Sequence, residues 1–167
     1  GFTAGKEKYR DVQDEIADAM AQLAELREQF LDLAHRDMAA FDALMAAYRL
    51  PKATDDEKAA RAAAVARGTR GSLDVVEAVL DAARRTLDVC RRLADIANRH
   101  LISDVGVAAE LALGVALAAR INVAVNLAGY ADAADAAAVR KRTAEAVAEA
   151  EHLARETREA VLEIIAA

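Results

Sequence analysis

Hydrophobic positions recur every three or four residues along most of the chain, a spacing that predicts helices. The first stripe predicts one helix from about Lys6 to Tyr48, in which an acid, Asp37, occupies the gap between Leu33 and Phe41. A rod of that length, about 60 Å, needs partner helices, from the same chain or from a second copy. No run alternates with period two for long enough to predict a sheet.

Capping and breaking residues divide the remaining pattern into further helices. Pro51 ends the first helix, and Thr54 with Glu57 forms a capping box that predicts a helix start directly afterwards. Two glycines in the stretch RGTRGS, residues 67–72, predict a kink or short loop in this second helix. The helical pattern then resumes over about 73–97.

The segment 104–127 is apolar nearly all round, and its length would suit a membrane span. Ser103 is a plausible N-cap for it. Several of its side chains would be costly in lipid: Glu110, Arg120, Asn122 and Asn126. We therefore predict a central helix, buried on most sides of a bundle. Asp132 then caps a last helix over about 135–165.

Composition fits one helical domain spanning 1–167. The 167 residues are 55% hydrophobic and 30% charged, which is enough apolar material for a packed core. A net charge of −6 argues against general nucleic-acid binding. Cys90 stands alone, so no internal disulfide forms and a reducing compartment, the cytoplasm, is predicted. The three histidines lack ligand spacing, so no metal site is expected.

The pattern leaves two interpretations of Asp37. It lies at the edge of the stripe, solvated or paired with a lysine or arginine, or it is held among Leu33, Phe41 and Leu44. Desolvation in the second case would favour its protonated form and suit it to proton transfer near neutral pH.

Asn122 and Asn126 lie one turn apart on the same helical face. Their amides either join a hydrogen-bond network between helices or read the hydrogen-bonding edge of a ligand. Asp104 falls in the first turn of the same helix, where an acid is favoured by the helix dipole. Basic residues such as Lys52 are mostly surface groups, of which some would meet an anionic substrate.

Three sequence blocks resemble the cyclodeaminase/cyclohydrolase family of folate one-carbon enzymes. The first is TAGKEKY, residues 3–9. The second is DMAAFDALMAAYRLPKATDDEKAAR, residues 37–61, and the third is SDVGVAAELALGVALAARINVAVNL, residues 103–127. They keep the order and approximate separation of the family blocks, so the resemblance covers essentially the whole chain.

The resemblance implies an all-helical homodimer whose active site involves both subunits, with Asp37 as the catalytic carboxylate. Substrate-binding roles fall to Lys52, Asp104, Asn122 and Asn126. The implied substrate is 5-formiminotetrahydrofolate, possibly polyglutamylated, from histidine degradation. It would be closed to 5,10-methenyltetrahydrofolate with loss of ammonia, without any bound cofactor and with neither nucleic acid nor membrane as partner.

Alternatives stay open within this resemblance. The same acid would serve a methenyltetrahydrofolate cyclohydrolase, and a third possibility is a non-catalytic helical dimer that binds folate or serves as an assembly module. The family normally carries a Gly-rich segment and a further helix upstream of the first block, and this sequence starts at that block. A formiminotransferase domain or partner upstream would favour the deaminase.

Overall fold

Four α-helices dominate the computed structural model, which describes residues 3–167. The helices are α1 (Gln13–Tyr48), α2 (Asp55–Ile96), α3 (Ile102–Asn126) and α4 (Ala133–Ala166). Short 3-10 turns, Glu7–Val12 and Arg99–Leu101, precede α1 and α3. No strand occurs among residues 3–167, and the all-α prediction is confirmed.

Short connections make consecutive helices antiparallel, as predicted for a bundle. Arg92, near the end of α2, donates to Asp18, near the start of α1, at 3.3 Å. At the other end of the pair, Arg61 of α2 donates to the backbone carbonyl of Tyr48 at 3.2 Å. The first two helices therefore run side by side in opposite directions over most of their length.

Helix α2 is the centre of the molecule because it packs against all three other helices. The main core lies where α2, α3 and α4 meet, with side chains such as Leu73, Leu87, Ala116 and Val139 fully buried. Helix α1 packs on α2 and makes few contacts with α3 or α4. One side of α3 is consequently left without a neighbouring helix.

The break predicted at residues 67–72 does not exist, since α2 is continuous from Asp55 to Ile96. Gly68 instead allows α1 to approach closely. A Cβ atom placed on Gly68 would lie 3.1 Å from the Cα atom of Leu44. Packing between two helices, rather than a turn, explains the glycine, and sequence spacing alone does not distinguish the two.

The predicted starts of α2 and α4 are confirmed, whereas α1 begins at Gln13 and not near Lys6, because the stretch before it forms a 3-10 turn with non-helical backbone at Tyr9. Thr54 accepts from the Glu57 backbone N–H, and the Glu57 carboxylate accepts from the Thr54 N–H. Asp132 caps α4 through two backbone N–H groups. The Ser103 cap is wrong, because α3 already begins at Ile102 where the preceding 3-10 turn runs directly into it.

Burial of α3 on most sides is not seen within the single chain. Its small residues, among them Ala109 and Ala116, pack into the core, but only 22% of its most apolar window is buried. With mean hydropathy 1.8 over that window, Arg99–Asn126 is the one segment among residues 3–167 long and apolar enough to cross a membrane. Several large side chains point away from the core: Val107, Leu111, Val115, Ile121 and Val125.

Candidate active site

A groove of about 420 Å³ opens between α1 and α3, with α2 as its floor. This volume lies in the usual range for small-molecule sites. We call it the Asp37 groove. It is lined by Asp37, Met38, Phe41, Asp42 and Leu44 of α1, Ser72 and Val76 of α2, and Asn122, Val125 and Asn126 of α3.

Asp37 lies on the side of α1 that faces α2, in line with the buried Leu33 and Leu44. At this level the groove separates the helices, and the Asp37 side chain stays exposed. Its carboxylate makes no ion pair or hydrogen bond within residues 3–167. In the single chain Asp37 is therefore solvated, as the first of the two interpretations has it, without pairing with a basic residue and without the desolvation that the second interpretation needs.

The amides of Asn122 and Asn126 line the same groove from α3. Asn126 is half-buried and Asn122 is exposed, and neither side chain hydrogen-bonds to another described residue. A network of interhelical hydrogen bonds, the structural interpretation of this pair, is therefore not formed. Both amides are free to donate to, and accept from, a bound molecule.

Sequence reasoning missed two further polar side chains that line the groove, those of Asp42 and Ser72. Asp42 follows Asp37 by five residues, which separates the two side chains by about 140° around a helix, so spacing alone does not bring them to one site. Met38 and Phe41 lie between Asp37 and Asp42 around the helix and also line the groove. The groove therefore covers a wide part of the surface of α1. Ser72 is buried on the floor, where its hydroxyl donates to the Gly68 carbonyl at 3.3 Å.

The groove carries negative charge. Asp37 and Asp42 supply two carboxylates, and no basic side chain is found among the described residues that line it. Its remaining polar groups are amides and one hydroxyl, set among apolar side chains such as Val76 and Phe41. Such an arrangement suits a flat organic molecule with hydrogen-bonding edges and a positively charged centre.

Lys52 and Asp104, the other two predicted substrate-binding residues, lie outside the groove in this chain. Lys52 is exposed in the connection between α1 and α2. Asp104 is exposed in the first turn of α3, about five turns before Asn122. Their roles stay predictions. Within residues 3–167 no three His, Cys, Asp or Glu side chains are grouped to hold a metal ion.

A cluster of charges on the opposite side of α2 fixes the turn between α3 and α4. Partial burial opposes ionisation of Arg70, but hydrogen bonds to Asp74, Glu77 and Asp135 outweigh it and raise the pKa of Arg70. The Arg70 guanidinium and the Tyr130 hydroxyl in turn lower the pKa of Asp135. The cluster holds the start of α4 against α2, next to the end of α3 that carries Asn126.

Comparison with known proteins identifies the family. The profile of the family described as formiminotransferase-cyclodeaminase matches residues 1–145. The chain belongs to the formiminotransferase-cyclodeaminase family. This confirms the resemblance carried by the three sequence blocks, including the block that begins at Asp37.

Two relatives within this family of folate one-carbon proteins are informative. A methenyltetrahydrofolate cyclohydrolase of Methylorubrum extorquens is 36% identical over 133 residues, which are 80% of this chain. The chain spans 64% of that relative's length. The crystal structure of formiminotetrahydrofolate cyclodeaminase from Thermotoga maritima superposes with a TM-score of 0.76 at 26% identity, over 98% of this chain and 75% of that one.

Proposed function

We propose that the Asp37 groove binds a one-carbon derivative of tetrahydrofolate and converts 5-formiminotetrahydrofolate to 5,10-methenyltetrahydrofolate and ammonia in the cytoplasm. One observation carries this proposal. An unpaired carboxylate, Asp37, shares a groove of about 420 Å³ with two unpaired amides on the facing helix. The family membership and the name of the Thermotoga maritima relative support the choice of reaction.

The charge of the groove fits the reacting group. A protonated formimino group is a cation, and the 5,10-methenyl product is a cation as well. Two carboxylates, Asp37 and Asp42, stabilise both species and the transition state between them. The amides of Asn122 and Asn126 are suited to the hydrogen-bonding edge of the pterin ring, which offers both donors and acceptors.

Asp37 moves the proton that the reaction must relocate. N10 of the folate attacks the formimino carbon, forming a new C–N bond and an intermediate that still carries the amino group. The Asp37 carboxylate takes the proton from N10 and returns it to that amino group. The bond from carbon to the amino nitrogen then breaks, ammonia leaves, and the 5,10-methenyl cation remains.

Cyclohydrolase activity is a second candidate, favoured by the name of the relative that is 36% identical. In this reaction water adds to the carbon of the 5,10-methenyl cation. Asp37 accepts a proton from that water and then delivers it to N5, the bond from carbon to N5 breaks, and the remaining hydroxyl proton leaves to solvent as 10-formyltetrahydrofolate forms. The same carboxylate and the same groove serve both reactions.

Absorbance of the methenyl chromophore separates the candidates. We expect it to appear when the protein is added to 5-formiminotetrahydrofolate, whereas a cyclohydrolase would speed its loss from 5,10-methenyltetrahydrofolate. Binding of both folates with no turnover of either would instead identify a non-catalytic folate-binding protein. Absence of binding, measured by calorimetry, would refute the proposed function altogether.

Replacing the carboxylate tests the role of Asp37. We expect Asp37→Asn to lower kcat by about 100-fold or more, the usual contribution of a general acid–base group. Asp32→Asn is the matched control, because Asp32 is an exposed acid of α1 outside the groove, paired with Arg36 at 3.6 Å. Near-normal turnover by a folded Asp37→Asn protein would contradict the assignment.

Dimerisation is part of the proposed function. A face of α3 with this many exposed apolar side chains exceeds what monomers usually leave in water. We therefore expect a homodimer, which light scattering after gel filtration measures directly.

A further inference from the structure

The polar groups of the Asp37 groove differ between its two sides. The α3 side carries the amides of Asn122 and Asn126, which both donate and accept hydrogen bonds. The side built by α1 and α2 carries Asp37, Asp42 and Ser72. The two carboxylates, when ionised, accept hydrogen bonds and donate none. What this side offers to a bound molecule beyond the carboxylates therefore depends on the hydroxyl of Ser72.

A serine is unexpected on this face of α2. The next residues along the same face, Val76 and Leu80, are buried and apolar. Ser72 is 7% exposed, and its hydroxyl donates to the Gly68 carbonyl at 3.3 Å. The helix already satisfies that carbonyl with the backbone N–H of Ser72. Alanine would serve the helix better than serine, so the fold alone does not explain the hydroxyl.

Donation to Gly68 determines what the hydroxyl presents to the groove. A hydroxyl has one hydrogen and two lone pairs, and here the hydrogen is used inside the helix. The Ser72 oxygen, on a side chain of two heavy atoms, lies at the groove floor as an acceptor. Together with Asp37 and Asp42 it forms a set of acceptors, with no free side-chain donor among the described α1 and α2 residues that line the groove.

We propose that Ser72 recognises the formimino nitrogen, and that it thereby favours 5-formiminotetrahydrofolate over 5-formyltetrahydrofolate. The two molecules differ at one position, where a formyl oxygen replaces the formimino nitrogen. The protonated formimino nitrogen carries two N–H groups, of which one donates to the Asp37 carboxylate and the other to the Ser72 oxygen. The inference rests on the proposed function and adds a specificity-determining residue to its site.

The formyl compound finds no such partners. Its oxygen would face the acceptors of Asp37 and Ser72, unless the Ser72 hydroxyl turned its hydrogen away from Gly68. A site built to accept hydrogen bonds from an N–H group rejects an analogue that lacks the group, because the acceptors of the site are then left unpaired.

The contact with Ser72 concerns recognition and transfers no proton. After N10 has attacked, the amino nitrogen stays against the Ser72 oxygen while Asp37 delivers its proton, and ammonia then leaves. Loss of the Ser72 hydroxyl should therefore weaken substrate binding and leave the proton transfer intact. This separates its effect from that of Asp37, whose replacement lowers kcat.

Ser72→Ala tests the contact. Alanine is the better helix former, so the variant should fold. In the methenyl absorbance assay we expect the KM for 5-formiminotetrahydrofolate to rise about 10-fold, the size expected for one hydrogen bond to a charged group, with kcat within about twofold. The inhibition constant of 5-formyltetrahydrofolate, added as a competitor, should stay within about twofold or fall.

Two control variants separate recognition from structure. Ser72→Thr keeps the hydroxyl and should keep the wild-type ratio of the two constants. Thr157→Val removes a comparable hydroxyl outside the groove, since buried Thr157 of α4 donates to the Leu153 carbonyl at 2.7 Å. It should change neither constant. Thermal melting followed by circular dichroism checks that each variant is folded.

Three outcomes would overturn the role of Ser72. An equal rise of both constants in Ser72→Ala would show that the residue shapes the groove without discriminating between ligands. Unchanged constants would show that it does not touch the substrate, and wild-type protein that binds the formyl compound as tightly as the formimino compound would exclude the selectivity itself.

Failure of the proposed function is recognised separately. If the wild-type protein binds 5-formiminotetrahydrofolate without converting it, the proposed reaction fails. Dissociation constants from calorimetry, measured for the same two folates, then decide the role of Ser72 in place of KM and the inhibition constant. A protein that binds neither folate overturns both the proposed function and this inference.

Discussion

Two glycines, three residues apart in α2, should respond in opposite ways to the same substitution. Gly68 and Gly71 both lie inside a continuous helix, where alanine is preferred to glycine by about 1 kcal/mol. For Gly71→Ala this gain stands alone, because a Cβ atom there meets nothing within 4 Å. We expect Gly71→Ala to stabilise the protein by about 1 kcal/mol.

At Gly68 the added methyl group collides with α1. It would lie 3.1 Å from both the Cα and a Cδ atom of Leu44. The side chain of Leu44 is able to rotate, but its Cα moves only if the helix moves. Overpacking of this kind costs about 1–3 kcal/mol. Both substitutions gain the same helix propensity, so that gain drops out when the two variants are compared. Gly68→Ala should therefore be less stable than Gly71→Ala by about 1–3 kcal/mol.

Urea denaturation followed by circular dichroism measures this difference. In a thermal melt it corresponds to about 2–4 °C for each kcal/mol in a protein of this size. Gly68→Ala should also disturb the Asp37 groove, because Leu44 is one of its lining residues. Equal stabilisation by both substitutions would refute the close packing of α1 on α2 at Gly68.

Three further predictions concern ionisable groups and the core, the last with its own control substitution. Burial raises the pKa of the Cys90 thiol to about 11. The stabilisation that the buried thiol confers is therefore lost as pH rises from about 8.5, the ordinary thiol value, through about 11. Cys90→Ala should flatten that part of the profile of unfolding free energy against pH. The Arg70 guanidinium lowers the pKa of Asp135, so the stabilisation by this carboxylate is fully present above about pH 4, the ordinary value, and is lost as pH falls through the lowered pKa. Asp135→Asn should therefore unfold at lower urea concentration than wild type at pH 7, and the difference should shrink as the pH is lowered below about 4. Leu87→Ala, at a fully buried position, should cost about 2–5 kcal/mol in the same assay, whereas Leu31→Ala, at an exposed one, should cost less than about 0.5 kcal/mol.

Helix type and the starts of α2 and α4 could be read from the sequence because their causes are local. The capping box at Thr54 and the Asp132 cap involve neighbours within three residues. Gly68 was misread because its reason lies in another helix, at Leu44. Local patterns do not show which backbone will approach a glycine.

The candidate site was accessible to sequence reasoning only in part. Asp37, Asn122 and Asn126 stood out as polar groups on apolar stripes, and the fold brings them to one groove. Asp42 was missed because a helical wheel separates it from Asp37, while the width of a groove depends on how far the helices diverge. The predicted burial of α3 rested on its apolar composition. Composition does not show whether the helices that pack on α3 come from the same chain.

Helix α1 is the part of the bundle that can open by itself. It rests on α2, while the main core, against which Phe30 of α1 packs, is built by α2, α3 and α4. Local unfolding of α1 therefore costs less than global unfolding, and its amides should exchange with solvent hydrogen sooner than those of α2. A ligand that bridges Asp37 and Asn126 ties this helix to α3 and adds its binding free energy to the cost of opening. Occupancy of one small groove would then slow hydrogen exchange along the whole of Gln13–Tyr48.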